Sequence, residues 1–321
     1  MSMVNTRPLL PVVAGPTASG KTACAVELCR LMDGEVVSAD SMQVYRGMAV
    51  LSAVPTADEM KGVPHHMLGI VDPSSRYTAE AYREAANACI SAIRARGRQP
   101  VLCGGTGLYI NAVTRPMSFS IMSDEAMHAA LMALGQTAEG RAELFDELKR
   151  VDPEAAARLH PNDVRRVSRA IEVYRITGVS QTEHSRRDRS RQGDYRELIF
   201  ALDWPRDVLY SRIDRRVDQM LTDGLVDEVR RLMADESAHP TAMQAIGYKE
   251  IASALRGEIG MDEAVRWTKQ ASRNLAKRQL TWFRHDERVI WLPAQGRRAG
   301  ELATEMLERI DRERTGGAGD C

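Results

Sequence analysis

Gly15-Pro16-Thr17-Ala18-Ser19-Gly20-Lys21-Thr22 fits the pattern G-x-x-x-x-G-K-[ST], and its reading governs that of the whole chain. An apolar run over residues 9–14 leads into it, and an apolar-rich helical stretch over residues 23–32 leads out. Strand, glycine-rich turn and helix in that order make a phosphate-binding loop. The glycines let the backbone fold into a nest of N–H donors, and the following helix adds the positive end of its dipole. Lys21 supplies a mobile cation, and the Thr22 hydroxyl is a ligand for the Mg²⁺ that travels with polyphosphates. Such loops serve nucleotide-binding and ATP-binding sites, and the pattern alone does not say which phosphate compound this one holds.

Outward from the loop, short apolar β-type runs alternate with longer helical patterns. Residues 9–14, 35–38, 67–71, 100–103, 197–202 and 289–292 read as strands separated by helices. That alternation predicts an α/β fold with a mainly parallel sheet covered by helices on both faces. The alternation breaks once. Between residue 111 and about residue 196 there is helical periodicity and no strand pattern, so residues 113–196 read as an all-helical insertion carried on a core of residues 1–112 and 197–321.

The chain has 321 residues, 44% of them hydrophobic, enough for a substantial core. No apolar run approaches the ~20 residues that cross a bilayer, and the N-terminus lacks the pattern of a secretory leader, so a cytoplasmic protein is expected. Five scattered cysteines without a C-x-x-C pair indicate neither a zinc site nor a disulfide framework. The net charge of zero hides a local asymmetry. Residues 120–157 carry eight acidic and three basic side chains, whereas residues 158–196 carry ten arginines and five acids. The second stretch is a candidate nucleic-acid face, against the alternative of a solvated surface. The glycine-rich tail, residues 315–321, reads as unstructured.

Three further segments fall where strands end, which in an open parallel sheet is the ligand crevice. Asp40 follows the second strand, in Ser38-Ala39-Asp40-Ser41-Met42-Gln43-Val44-Tyr45. Cys103-Gly104-Gly105-Thr106-Gly107-Leu108-Tyr109 is a glycine turn into a helix that presents Thr106 at its start. Arg212 and Arg216 are four apart on one helix face, a spacing able to grip one phosphate group. Each has a plainer alternative: Asp40 or Thr106 as a helix cap, the arginines as a salt-bridging surface. Near the end of the chain, Trp267, Ala271 and Leu275 form an apolar stripe read as core packing, beside a basic face of Arg266, Lys269, Arg273 and Lys277. His65-His66 reads as a loop pair just before a strand rather than a metal site.

Taken together, these segments resemble the bacterial tRNA dimethylallyltransferase family. The likeness is collinear from Gly15 to Trp282 and adds His160-Pro161-Asn162-Asp163, Arg165–Arg169, Gly247-Tyr248-Lys249-Glu250 and Ala276-Lys277-Arg278-Gln279-Leu280-Thr281-Trp282. The resemblance implies a P-loop-kinase-like core and a helical insertion that helps hold the tRNA anticodon arm. It implies transfer of a dimethylallyl group from dimethylallyl diphosphate to N6 of the adenosine 3′-adjacent to the anticodon, with release of diphosphate, by a monomer. Gly15, Pro16, Thr17, Ala18, Ser19, Gly20, Lys21 and Thr22 with Arg212 and Arg216 would hold the diphosphate, with Thr22 on Mg²⁺. Asp40, Ser41, Met42, Gln43, Thr106, Arg165, Arg166, Val167, Ser168, Arg169, Gln244, Ala245, Ile246, Gly247, Tyr248 and Lys249 match segments that contact tRNA. The family pattern has an arginine near His128, and no zinc-finger cysteines follow Trp282.

The chemistry points to the same residues. The allylic carbon is already activated, so the enzyme must position the acceptor, stabilise the departing diphosphate and take a proton from a poorly nucleophilic amine. Asp40 is the expected general base, and Thr106 the expected hydrogen-bonding partner of amine or diphosphate. A small-molecule kinase, an RNA-binding module and a prenyltransferase of free adenine nucleotides remain as alternatives. An RNA-binding module would not need the loop, Asp40 and Thr106 together, and a free nucleotide would not need the contact area of residues 158–196.

Overall fold

The structure is a computed structural model that describes residues 7–117, 124–234 and 241–316. Contacts divide the chain into two compact units, Met1–Thr114 with Tyr195–Cys321, and Arg115–Asp194.

The first unit is built on six strands: β1 (Leu9–Ala14), β2 (Gly34–Ser38), β3 (His65–His66), β4 (Gln99–Gly104), β5 (Arg196–Asp203) and β6 (Val289–Pro293). Their order across the sheet is β3-β2-β4-β1-β5-β6, and every pairing is parallel. Four helices belong to its first part: α1 (Lys21–Met32), α2 (Ala57–Met60), α3 (Ala79–Ala95) and α4 (Gly107–Thr114). The second unit holds α5 (Glu125–Leu134), α6 (Ala138–Val151), α7 (Pro153–Arg158), α8 (Val164–Thr177) and α9 (Gln181–Ser190). The chain then returns to the first unit with α10 (Arg206–Thr222), α11 (Leu225–Ala234), α12 (Tyr248–Leu255), α13 (Met261–Arg284) and α14 (Ala299–Gly316).

β1 shows why a continuous apolar run makes a central strand here. All six of its residues are buried, because helices cover both faces. Successive side chains alternate between two cores. Leu10, Val12 and Ala14 join Tyr82, Ile90, Ile110, Ile251 and Phe283 on one face, while Leu9 and Val13 join Cys24, Leu28, Leu302 and Met306 on the other. With the loop at the C-terminal end of this strand, the crevice lies along the edge where β2 and β4 also end.

The third strand departs from the sequence pattern, which places it at residues 67–71. Pairing with β2 stops after His65 and His66, because Met67 and Gly69 both take positive φ (65° and 57°) and turn the chain off the sheet. Residues 69–71 instead bond to the loop after β2: the Gly69 N–H donates to Gln43 O and the Val71 N–H to Val44 O. His65-His66 is therefore the strand itself. His66 Nε2 meets Glu35 Oε2 at 2.6 Å, and Arg96 and Arg98 complete the pairing of that buried carboxylate. Burial pushes the Glu35 carboxyl up, but the bonds from His66 and Arg96 outweigh it and hold it below the usual range.

Each helix of the second unit starts at a residue whose side-chain oxygen accepts a backbone N–H of the first turn: Asp124, Thr137, Asp152, Asp163 and Ser180. These caps explain how a polar stretch rich in charge becomes five short helices. Their apolar faces close on Leu131, Leu144, Leu148, Val167, Ala170 and Ile171. No strand occurs in this unit among its described residues.

At the C-terminus α14 runs to Gly316, so Thr315 and Gly316 are helical where the sequence reads as tail; residues 317–321 lie outside the described set, as does Cys321. Cys24, Cys29 and Cys103 are buried free thiols and Cys89 is half-buried.

Candidate active site

The phosphate loop joins β1 to α1. Gly15 and Gly20 at positive φ (138° and 91°), with Ala18 at 60°, wrap it over the helix N-terminus, and the Lys21 ammonium donates back to Pro16 O at 3.2 Å. The loop is held from outside. Trp204 Nε1 donates to Ser19 O (2.9 Å), and Arg212 Nε to Ala18 O (2.8 Å), with the Arg212 guanidinium 4.3 Å above the Trp204 ring. From α13, Gln279 Oε1 accepts the Thr17 N–H at 2.8 Å, and Gln279 Nε2 donates to Gly105 O at 3.0 Å. One side chain thus ties the phosphate loop to the glycine turn after β4.

Beside the loop lies a cleft of about 350 Å³ in the first unit. Thr17, Lys21 and Thr22 from the loop line it, together with Asp40, Ser41, Met42 and Gln43 from the end of β2, Thr106 from the end of β4, and Arg216 from α10. Four segments far apart in sequence meet here, as the strand ends of a parallel sheet require.

Asp40 is not a helix cap, since turns and no helix follow it. Its Oδ1 accepts the Met42 N–H at 2.9 Å, an Asx turn that fixes the carboxylate at the cleft, and Oδ2 has no protein donor among the described residues. Thr106 stands at the N-cap position of α4, its carbonyl accepting the Ile110 N–H at 3.1 Å, but its side chain is turned to another use. Its Oγ1 accepts the Ser41 N–H at 3.0 Å and lies 3.3 Å from Ser41 Oγ, so it clamps the Asp40 turn to the β4 turn. Gly104 is needed for that approach, because a Cβ there would sit 2.1 Å from Ala39 O. Burial depresses the Lys21 ammonium, and the charge of Arg216 acts in the same direction, with Cys103 and Asp40 opposing. Arg216, depressed by burial and favoured by Asp40, faces the cleft, whereas Arg212 backs the loop. The two arginines share a helix face, and of the two only Arg216 is among the residues that line the cleft.

Several expected contacts take other roles. Val167 and Ser168 are fully buried in the second unit, and Gly247 and Tyr248 are buried in the first, so none of these side chains presents itself to an RNA. Ala245 is buried but, with Gln244 and Ile246, lines the cleft; Lys249 is exposed. The Gln43 amide is taken up internally, by Ser38 Oγ at 2.7 Å and the carbonyls of Ser52 and Ala53. Arg165 and Arg166 are exposed on α8, while Arg169 pairs with the fully buried Glu172 at 3.0 Å. His128 meets the same carboxylate at 3.3 Å. On α13 the basic face is partly neutralised, Lys269 by Asp218 and Arg273 by Asp214, each at 2.6 Å. The apolar stripe is not core: Trp267 is 49% exposed, and the helix buries Ala264, Thr268, Ala276 and Phe283 instead. Gln279, Arg278, Met220 and Ser272 line the cleft without any local spacing that marks them.

No group of three or more His, Cys, Asp or Glu side chains able to hold a metal occurs among the described residues. Thr22 nevertheless places a hydroxyl in the cleft. A single protein oxygen suits Mg²⁺, which keeps most of its shell as water and phosphate oxygens.

Two family models match the chain, one described as IPP transferase over residues 43–286 and one as isopentenyl transferase over residues 9–72. The chain is 45% identical over 283 residues to a tRNA dimethylallyltransferase of Halalkalibacterium halodurans, covering 88% of this chain and 90% of that one. It is 45% identical over 298 residues to the tRNA dimethylallyltransferase of Geobacter metallireducens, covering 92% and 96%. Among solved structures, the tRNA isopentenylpyrophosphate transferase of Bacillus halodurans superposes with a TM-score of 0.72 at 40% identity, covering 98% of both chains. A eukaryotic dimethylallyltransferase acting on tRNA superposes with a TM-score of 0.79 at 25% identity, covering 96% of this chain and 80% of that one.

Proposed function

The chain belongs to the IPP transferase family, and from that premise we propose that its cleft transfers a dimethylallyl group from dimethylallyl diphosphate to N6 of the adenosine 3′-adjacent to the anticodon in tRNA. The observation that carries this reading is the meeting of Asp40, Lys21, Thr22, Thr106 and Arg216 around one cleft. A phosphate-binding loop alone suits many reactions; a carboxylate with an undonated oxygen beside it suits proton removal from an acceptor.

In the reaction, the allylic C–O bond to diphosphate breaks as the bond from C1 to N6 forms. The electron pair of the C–O bond leaves with the diphosphate, and the N6 proton passes to Asp40 Oδ2. Negative charge grows on the departing oxygens, where Lys21, Arg216 and the loop N–H groups are already aimed. Bound diphosphate also reverses the cost of burying Lys21, because an anion beside it favours its charged form. The residue that would hold Mg²⁺ is Thr22, and the ion would supply further neutralisation of the phosphate oxygens.

An adenine stacked in a folded loop cannot enter a cleft of this kind, so the target nucleotide is extruded into it. Thr106 and the Asp40 turn, clamped together, set the position of the amine relative to C1. Gln244, Ile246 and Lys249 lie on the acceptor side, and Arg165 and Arg166 contribute phosphate contacts from the helical unit. The reading includes a monomer working in the cytoplasm with tRNA; no helix among the described residues is long and apolar enough to cross a membrane. Its test is to offer the protein dimethylallyl diphosphate with either an anticodon stem-loop or AMP. Preferential modification of the stem-loop is expected, and preference for AMP would reassign the acceptor.

A further inference from the structure

The cleft-lining stripe of α13 does not stop at the cleft. Leu275, Arg278 and Gln279 line it, and Trp282, three residues beyond Gln279 and four beyond Arg278, continues the same helix face outward. Its indole lies against the first turn of α4. A Cβ built on Gly107 would come within 2.1 Å of the indole Nε1, 2.3 Å of Cδ1 and 2.5 Å of Cε2, so only glycine leaves room for the ring beside the Thr106 turn. Although held on that side, Trp282 remains 41% exposed, and Leu108, next in the chain to Gly107, is 42% exposed. Lys277 and Arg278 on the same stretch of α13 are exposed cations.

An exposed aromatic is ordinary on a protein surface, but one with an edge fixed against glycine and cations beside it is suited to a particular partner. Unpaired bases of RNA loops stack on such rings while their phosphates meet Lys and Arg. We infer that the indole of Trp282 is a stacking platform for the unpaired nucleobase beside the one extruded into the cleft. This inference rests on the reading of the cleft as a tRNA-modifying site. Extruding one base leaves its neighbour without a stacking partner, and the platform replaces it.

The test measures the affinity of a fluorescent anticodon stem-loop at several salt concentrations, and dimethylallyl diphosphate affinity in parallel, for the parent, Trp282→Ala, Trp282→Phe and Trp267→Ala. The inference predicts that Trp282→Ala weakens RNA binding roughly ten-fold or more while Trp282→Phe stays within about three-fold, because any aromatic face stacks. Its salt slope stays that of the parent, since stacking releases no counterions. Diphosphate affinity holds in both Trp282 variants, and Trp267→Ala, whose exposed indole is not on the cleft wall, keeps parental RNA affinity. RNA binding by Trp282→Ala within about twofold of a parent that does bind would overturn the platform alone. Equal losses for Ala and Phe, or diphosphate affinity falling in step, would make Trp282 a structural prop and overturn it too. A parent that fails to bind the stem-loop would overturn the tRNA reading and the platform with it.

Discussion

The side chain of Gln279 and the backbone of Thr17, 262 residues apart in the chain, meet at 2.8 Å, and the other end of the same amide holds Gly105 O. The phosphate loop and the Thr106 turn are therefore positioned as one body by a residue of α13. Replacing Gln279 by alanine frees the Thr17 N–H and the Gly105 carbonyl together. The expected outcome is a fall in kcat/KM for dimethylallyl diphosphate of about ten-fold, from the removal of two hydrogen bonds of ordinary worth. Gln279→Glu keeps the acceptor for Thr17 but sets an anion against Gly105 O and near the diphosphate site, so it is expected to be worse than alanine. Steady-state kinetics of the two variants checks the order.

Asp40→Asn keeps the Asx turn, because an amide oxygen still accepts the Met42 N–H, and removes the base. Turnover is expected to fall by about 10²-fold or more while affinities for diphosphate and tRNA stay near parental values. Single-turnover kinetics with unmodified tRNA distinguishes this from a binding defect, and a rate within a few-fold of the parent would remove Asp40 from the mechanism.

Lys21 makes diphosphate binding pH-dependent in a definite direction. Its folded-state pKa lies below the ordinary lysine value, chiefly from burial, so in the free protein it loses its proton at lower pH than an exposed lysine does. Below that depressed value the ammonium is already charged and affinity is highest. As pH rises through it, binding must also recruit a proton, and affinity falls. Titration calorimetry at a series of pH values below the ordinary lysine range, in buffers of different ionisation enthalpy, is expected to show proton uptake that grows with pH, and Lys21→Met should bind more weakly with no such uptake.

Arg165 and Arg166 are exposed, whereas Arg169 neutralises a carboxylate with no access to water. Removing the first two should weaken tRNA binding and flatten its salt dependence, by roughly 0.7–0.9 in log–log slope for each phosphate that is no longer neutralised. Diphosphate affinity should not move. Arg169→Ala is expected instead to destabilise the protein, by less than the about 3–5 kcal/mol of a fully buried pair, because the guanidinium is partly exposed and His128 and the Asp124 N–H stay on Glu172; thermal unfolding of the variants separates the two cases.

Much of this was legible in the chain. The run from Leu9 through the loop into α1 contains its own strand, turn and helix signals, and the strand ends place Asp40 and Thr106 at one edge once the sheet is parallel. The misplaced third strand shows where such reading fails: Met67 and Val71 are apolar because they join the core on one face of the sheet, not because they pair as a strand of it, and the positive φ at Met67 has no sequence marker. Burial was the other blind spot. Arg165 to Arg169 read as one basic segment, yet helical geometry turns Val167 and Ser168 inward and gives Arg169 to Glu172. Gln279 could not be assigned a role from spacing at all, because its partners lie 174 and 262 residues away.

In the reaction proposed for this cleft, a dimethylallyl group passes to N6 of a tRNA adenosine from the diphosphate held by Lys21. The most direct measurement incubates the protein with dimethylallyl diphosphate, Mg²⁺ and an anticodon stem-loop, digests the RNA to nucleosides and identifies the product by mass spectrometry. The expected result is one adenosine per stem-loop, the one 3′-adjacent to the anticodon, gaining C5H8 on N6, with equimolar diphosphate released and both abolished in Lys21→Ala. Unmodified RNA alongside Lys21-dependent transfer of the γ-phosphate of ATP would contradict it and make the cleft that of a kinase.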